Sequence, residues 1–132
     1  MRVVVRRHEW NGKELNETWT GQDKNSKLLN SRGKMCCLGF MCEQLGVSRD
    51  AMVGAGYPNT LCDKADSALL ETLQTIGLVT YGSSYESPGE WYNTELSRIA
   101  ATLNDALMPI ESKEADLIKL FARYGHELVF ED

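Results

Sequence analysis

Several signatures are missing from this sequence of 132 residues, and each absence narrows its function. No stretch approaches the ~20 consecutive apolar residues that span a membrane, so no membrane partner is expected. Met1 leads straight into Arg-Val-Val-Val-Arg-Arg. That is too short an apolar run for a secretory signal, which sets the expectation of a cytoplasmic protein with reduced thiols. There is no surplus of positive charge: 14 Lys and Arg stand against 19 Asp and Glu, a net charge of −5. Direct nucleic-acid binding depends on a basic face that neutralises phosphates, and is therefore not expected. No Gly-rich phosphate loop of the Walker or Rossmann kind occurs. Neither an internal repeat nor a linker divides the chain, and its length suits one domain over residues 1–132.

What is present is a dense apolar run at 33–46, GKMCCLGFMCEQLG, bracketed by glycines and holding three of the four cysteines. It is expected to form a buried central helix that begins near 34–36 and stops at a left-handed Gly46. The β-branched segment 2–8 (RVVVRRH) reads as a strand with Val3 and Val5 on one face. The polar segment 9–33 reads as a long loop with a short strand at 17–20, and its Trp10 and Trp19 need apolar surroundings. Ser48 caps a short helix, with Val47 and Met52 as its staple, which the glycines and proline of 54–59 break. Asp63 or Asp66 opens a helix through Leu69, Leu73 and Ile76 to Gly77, and 78–81 reads as a short strand. A fourth helix is expected from Glu90 or Asn93 to Leu107. Ser112 caps a fifth, with Leu117, Ile118, Leu120 and Phe121 inward and Gly125 at its end, before a strand at 127–130. The fold class is α+β: about four to five helices covering one face of a small sheet formed by the N- and C-terminal strands. An exposed edge on so small a sheet would allow a homo-oligomer.

The charge is unevenly spread. Residues 1–34 carry eight basic against four acidic side chains, and residues 35–132 carry six against fifteen. Arg32-Gly33-Lys34 immediately precedes the central helix, so free backbone N–H groups and two cations would face one point. Arg6 and Arg7 lie on the first strand, and Trp10, Trp19 and Tyr57 are loop aromatics able to stack on a base. The expectation is an anion site for a nucleotide, built from Arg6, Arg7, Trp19, Arg32, Lys34 and Tyr57. The opposing reading has these cations solvating the loop while the tryptophans shield the core.

Cys36, Cys37, Cys42 and Cys62 invite a zinc site, but three of them share one helix. At ~100° per residue Cys37 and Cys42 point ~140° apart and Cys36 and Cys42 ~120° apart, so they do not converge on an ion. No metal and no cofactor is expected. A nucleophilic Cys36 or Cys37 near Lys34, with His8 or His126 as base, is the enzymatic alternative. No cysteine-hydrolase signature supports it, and Met35, Leu38 and Phe40 point to burial. The carboxylates Asp105, Glu111, Glu114 and Asp116 crowd around a helix start, where acids serve as first-turn dipole partners.

Around Gly33 to Phe40 the sequence resembles a set of small accessory proteins encoded by tailed bacteriophages. Their pattern is a basic, Trp-containing amino end, Leu-Leu, then G-K-x-C-C-L-G-F, a Gly-x-Pro loop, Leu-Asn-Asp, and a final helix–Gly–strand. The corresponding residues are Trp10, Leu28-Leu29, Gly33 to Phe40, Gly56-Tyr57-Pro58, Leu103-Asn104-Asp105 and Leu117 to Phe130. The pattern requires no histidine at His126, which weakens a Cys–His pair. The resemblance carries no established activity. It implies an accessory phage protein of the kind that counters host defences in the cytoplasm of an infected bacterium, and the leading expectation is that it acts by binding, without enzymatic activity. Two modes follow: sequestering a small nucleotide immune signal, or inhibiting a host defence complex, such as a CRISPR complex, by direct contact through an acidic surface that mimics nucleic acid.

Overall fold

A computed structural model describes residues 1–22, 24, 26–82 and 90–132. The first strand, β1 (Arg2–Arg6), pairs in parallel with the last, β4 (Glu127–Glu131), with Val3 opposite Leu128 and Val5 opposite Phe130. Between them come α1 (Cys37–Gln44), α2 (Arg49–Met52), α3 (Pro58–Leu61) and α4 (Ser67–Thr75). A hairpin of β2 (Val79–Gly82) and β3 (Glu90–Asn93) follows, then α5 (Glu95–Asp105) and α6 (Ile110–Arg123). The fold is α+β, with six helices among the described residues and a small sheet made by the two terminal strands. None of these helices is long and apolar enough to cross a membrane.

The alternation of β1 buries Val3 and Val5 completely, and α1 lies against that strand while α6 lies against β4. Every residue from Cys37 to Cys42 is buried. Gly39 makes this possible: a Cβ placed there would stand 2.0 Å from the Leu28 carbonyl oxygen, so α1 passes the backbone of the 9–33 segment with no room for a side chain. Phe130 of β4 sets its ring 4.8 Å from that of Trp10, and Trp10 has no exposed surface.

Local signals place most boundaries. Ser48 Oγ accepts from Ala51 N and Asp66 accepts from Leu69 N, each satisfying a first-turn donor. Gly46 (φ +94°), Gly77 (φ +90°) and Gly125 (φ +83°) take the left-handed conformation just beyond α1, α4 and α6.

Six expectations need correction. The strand expected over 2–8 ends at Arg6, and Arg7–Glu9 is a 3₁₀ turn. No strand forms at 17–20. The central helix begins at Cys37, because Met35 is held extended beside Trp10 by Met35 N–H to Glu9 O and Asn11 N–H to Met35 O. The helix capped by Ser48 does end before 54–59, but Pro58 opens an unexpected short helix, α3, from its first turn, where the missing N–H costs nothing. Glu90–Asn93 is a strand, and α5 starts after Thr94, whose hydroxyl accepts from Ser97 N. α6 begins at Ile110 after Pro109, so Ser112 lies inside the helix and is not its cap.

The inward face of α6 also differs from expectation. Ile118 is 42% exposed, whereas Lys113 is buried with Leu117, Leu120 and Phe121, one helical turn apart on one face. Nor is the outer edge of β1 bare: Gln44 Nε2 donates to Val4 O (2.7 Å) while Val4 N donates to Gln44 Oε1 (3.0 Å), so one side-chain amide stands in for a neighbouring strand.

Candidate functional site

The cations expected to form an anion site are distributed over three ion-pair groups. Arg6 reaches Glu9 and Glu43, at the end of α1, and Arg49 reaches Glu43 from the other side. Arg7 forms a two-pronged pair with Glu114 of α6 (Nε to Oε2 2.9 Å, Nη2 to Oε1 2.8 Å) and also meets Asp132. Arg32 and Lys34 do come together, but on Glu14, at 2.8 and 2.7 Å. Burial opposes the charge on Arg6, yet its hydrogen bonds to Glu43 and Glu9 raise its pKa. The Glu114 hydrogen bonds raise that of Arg7. Burial likewise works against the Glu14 carboxylate, but Lys34 and Arg32 hold its pKa below the usual range. Arg2, Arg6, Arg7, Arg32 and Lys34, five of the eight basic residues of 1–34, are thus paired inside the chain, with carboxylates that lie both within and far beyond that segment.

The aromatic members do not join these cations. Arg6 lies over Phe40 (5.1 Å) and Arg7 over Phe130 (5.9 Å). Trp19 is half-buried, with its ring against Gly21, and Tyr57 is 44% exposed ahead of α3. The start of α1 is also occupied, since Cys37 N donates to Asn104 Oδ1 at 3.1 Å in a buried site.

Asn104 is the hub of a polar network that the sequence did not announce. Its Oδ1 accepts from Trp10 Nε1 (2.7 Å) as well as from Cys37 N, and its Nδ2 donates to Asn11 Oδ1 (2.8 Å) and to Asp105 Oδ1 (3.2 Å). Beside it Lys113 Nζ donates to the carbonyls of Gly12 (2.9 Å), Leu15 (2.5 Å) and Asn104 (2.7 Å). Three acceptors match the three donors of an ammonium, and the Asn104 carbonyl lies in the last turn of α5, where the helix dipole favours a cation. Burial lowers the Lys113 pKa to about 8, which leaves the group mainly cationic at neutral pH. The network clamps the 10–15 segment onto α1, α5 and α6. Trp10, Cys37 and Asn104 are therefore architectural residues. The available signal for Lys113 was its place one turn before Leu117 on an apolar face.

All four cysteines are free and buried. Burial pushes the Cys36 thiol up to about 12 and raises those of Cys37, Cys42 and Cys62 as well, so a thiolate is scarce at neutral pH. His126 places Nε2 against the Ile76 carbonyl and Nδ1 against the Met1 amine, which engages both ring nitrogens. His8 is exposed, 3.8 Å from Glu9. Among the described residues no three His, Cys, Asp or Glu side chains gather to hold a metal ion.

A different surface combines an apolar floor with charged side chains that make no ion pair among the described residues. A hollow of about 240 Å³ between α5 and α6, with Leu120 deep and Asp116, Lys119 and Arg123 at the rim, shares Ile99 and Leu103 with an adjoining hollow of about 400 Å³ along α5, where Glu95, Arg98 and Thr102 complete the lining. It forms an open groove. Comparison with protein-family models, with curated proteins and with solved structures finds no match to this chain.

Proposed function

We propose that the protein acts by binding a partner protein and carries out no covalent chemistry. In the setting that its sequence resemblance implies, it is a phage accessory protein that disables a bacterial defence by direct contact. The observation that carries this reading is the internal pairing of the four basic residues expected to hold an anion. Arg6, Arg7, Arg32 and Lys34 all end on carboxylates of the same chain, so a nucleotide would have to displace Glu9, Glu43, Glu114 or Glu14 to reach them. Small-molecule sites ordinarily enclose most of their ligand. The α5–α6 groove is open along its length and suits a polypeptide better. Buried thiols with raised pKa and a fully engaged His126 give an enzymatic reading no support.

Native mass spectrometry of the protein captured from bacterial host cytosol tests this. The expected spectrum contains a stoichiometric complex with a second polypeptide. A nucleotide-sized adduct, released unaltered on denaturation and regained from a panel of nucleotide signals, would replace protein binding with sequestration.

A further inference from the structure

The chain has seven arginines. Arg2, Arg6, Arg7, Arg32 and Arg49 each pair with a carboxylate. The two that make no ion pair among the described residues, Arg98 and Arg123, lie together at the α5–α6 groove, on the exposed faces of the two helices. Lys119, one turn before Arg123, is exposed beside them and is also without an ion pair among the described residues. Carboxylates are within reach in sequence, yet Glu95, which hydrogen-bonds Tyr124, and Asp116, both lining the groove, make no ion pair among the described residues. An acidic protein that engages its other arginines leaves three cations to two acids along one apolar trough. Ile99, Leu103 and Leu120 form the floor at helical spacing on α5 and α6. α5 has eleven residues, which makes it about 16 Å long, or some three turns.

We infer that this groove takes an acidic amphipathic helix of the partner protein, laid along α5 and α6 as a third helix. Its apolar stripe would cover Ile99, Leu103 and Leu120 at i, i+3 or i+4, and i+7, and its flanking carboxylates would meet Arg98, Lys119 and Arg123. Exposed cations contribute mainly orientation and salt-sensitive attraction, and the apolar floor contributes most of the affinity. The inference rests on the protein-binding reading, but it fails separately.

The test is an amide-shift titration of ¹⁵N-labelled protein with a hydrocarbon-stapled peptide of about 14 residues, long enough to cover α5. The peptide carries leucines along one face and glutamates on both flanks. The expected result is shifts confined to the groove-lining residues of α5 and α6. Affinity should fall at least about tenfold in Arg98→Glu/Arg123→Glu, and strongly between low and high salt. The same peptide with lysine for glutamate should shift nothing. Overturning results are an absence of shifts, equal binding of the lysine peptide, or undiminished binding by the double variant. Two further outcomes also overturn it: saturation of the same residues by inorganic phosphate or an oligonucleotide, which makes the groove an anion site, and concentration-dependent shifts of the protein alone, which make it a self-interface. If the double variant still forms the complex captured from cytosol, the partner reading stands and this groove is not its contact.

Discussion

Trp10 Nε1 donates to Asn104 Oδ1 at 2.7 Å, joining residues 94 positions apart in a site without solvent access. That bond holds the amino-terminal segment to the end of α5. Because the same oxygen also receives Cys37 N, it positions the start of α1 too. Asn104→Leu leaves the Trp10 and Cys37 donors and the Asn11 acceptor without their partner. Each buried orphan costs ~1–3 kcal/mol, so a loss of at least about 3 kcal/mol is expected in urea unfolding. Trp10→Phe, which removes a single donor and some contact area, should cost less. A loss below ~1 kcal/mol for Asn104→Leu would show that the network is not structural.

Lys113 gives the stability a pH signature. Its folded pKa is about 8 against an ordinary 10.5. Between those values the unfolded chain holds a proton that the folded chain has released, so stability owed to this group rises with pH and is lowest below 8. Urea unfolding of the wild type and Lys113→Met at pH 7.5, 8.5 and 9.5 should show the wild type gaining on the variant by about 2 kcal/mol across that window. A difference that stays flat across the window would mean that the three carbonyls keep the ammonium protonated.

Gly39→Ala should be among the most damaging single substitutions. In an ordinary helix interior alanine gains ~1 kcal/mol over glycine. Here the added Cβ meets backbone, Leu28 O at 2.0 Å and Leu28 C at 2.9 Å, which cannot rotate away. A destabilisation of more than ~3 kcal/mol is expected, read as a fall in urea midpoint. A neutral or stabilised variant would mean that α1 does not run so close to Leu28.

The cysteines should behave as core residues. Iodoacetamide at pH 7.5 should label Cys36, Cys37 and Cys42 only as fast as the protein opens, and all of them at once in urea. Labelling of Cys36 or Cys37 within minutes in the folded protein would reinstate the nucleophile.

Signals that act within a few residues were legible. Ser48, Asp66, Gly46, Gly77 and Gly125 sit where caps and stops belong, because each depends on its own turn. Pairing of the terminal strands followed from apolar alternation at both ends, Val3 and Val5 in one and Leu128 and Phe130 in the other. Features decided by distant partners were not legible. Met35 is extended because Trp10 lies beside it, and Lys113 is inside because Gly12, Leu15 and Asn104 offer it carbonyls. Composition exposed the basic excess of residues 1–34, but only the fold reveals that Arg6 finds Glu43, Arg7 finds Glu114, and Arg98 and Arg123 make no ion pair among the described residues.

That last contrast sets the most direct measurement. Two double variants, Arg32→Ala/Lys34→Ala and Arg98→Glu/Arg123→Glu, should be compared with the wild type for formation of the complex captured from host cytosol. Exposed pairs such as Arg32–Glu14 contribute at most ~1 kcal/mol to stability, so the first variant should fold and bind as the wild type does. The second should fold equally well and lose the complex at least about tenfold. Lost binding in the first variant with full binding in the second would contradict both the neutralised amino-terminal cations and the α5–α6 contact.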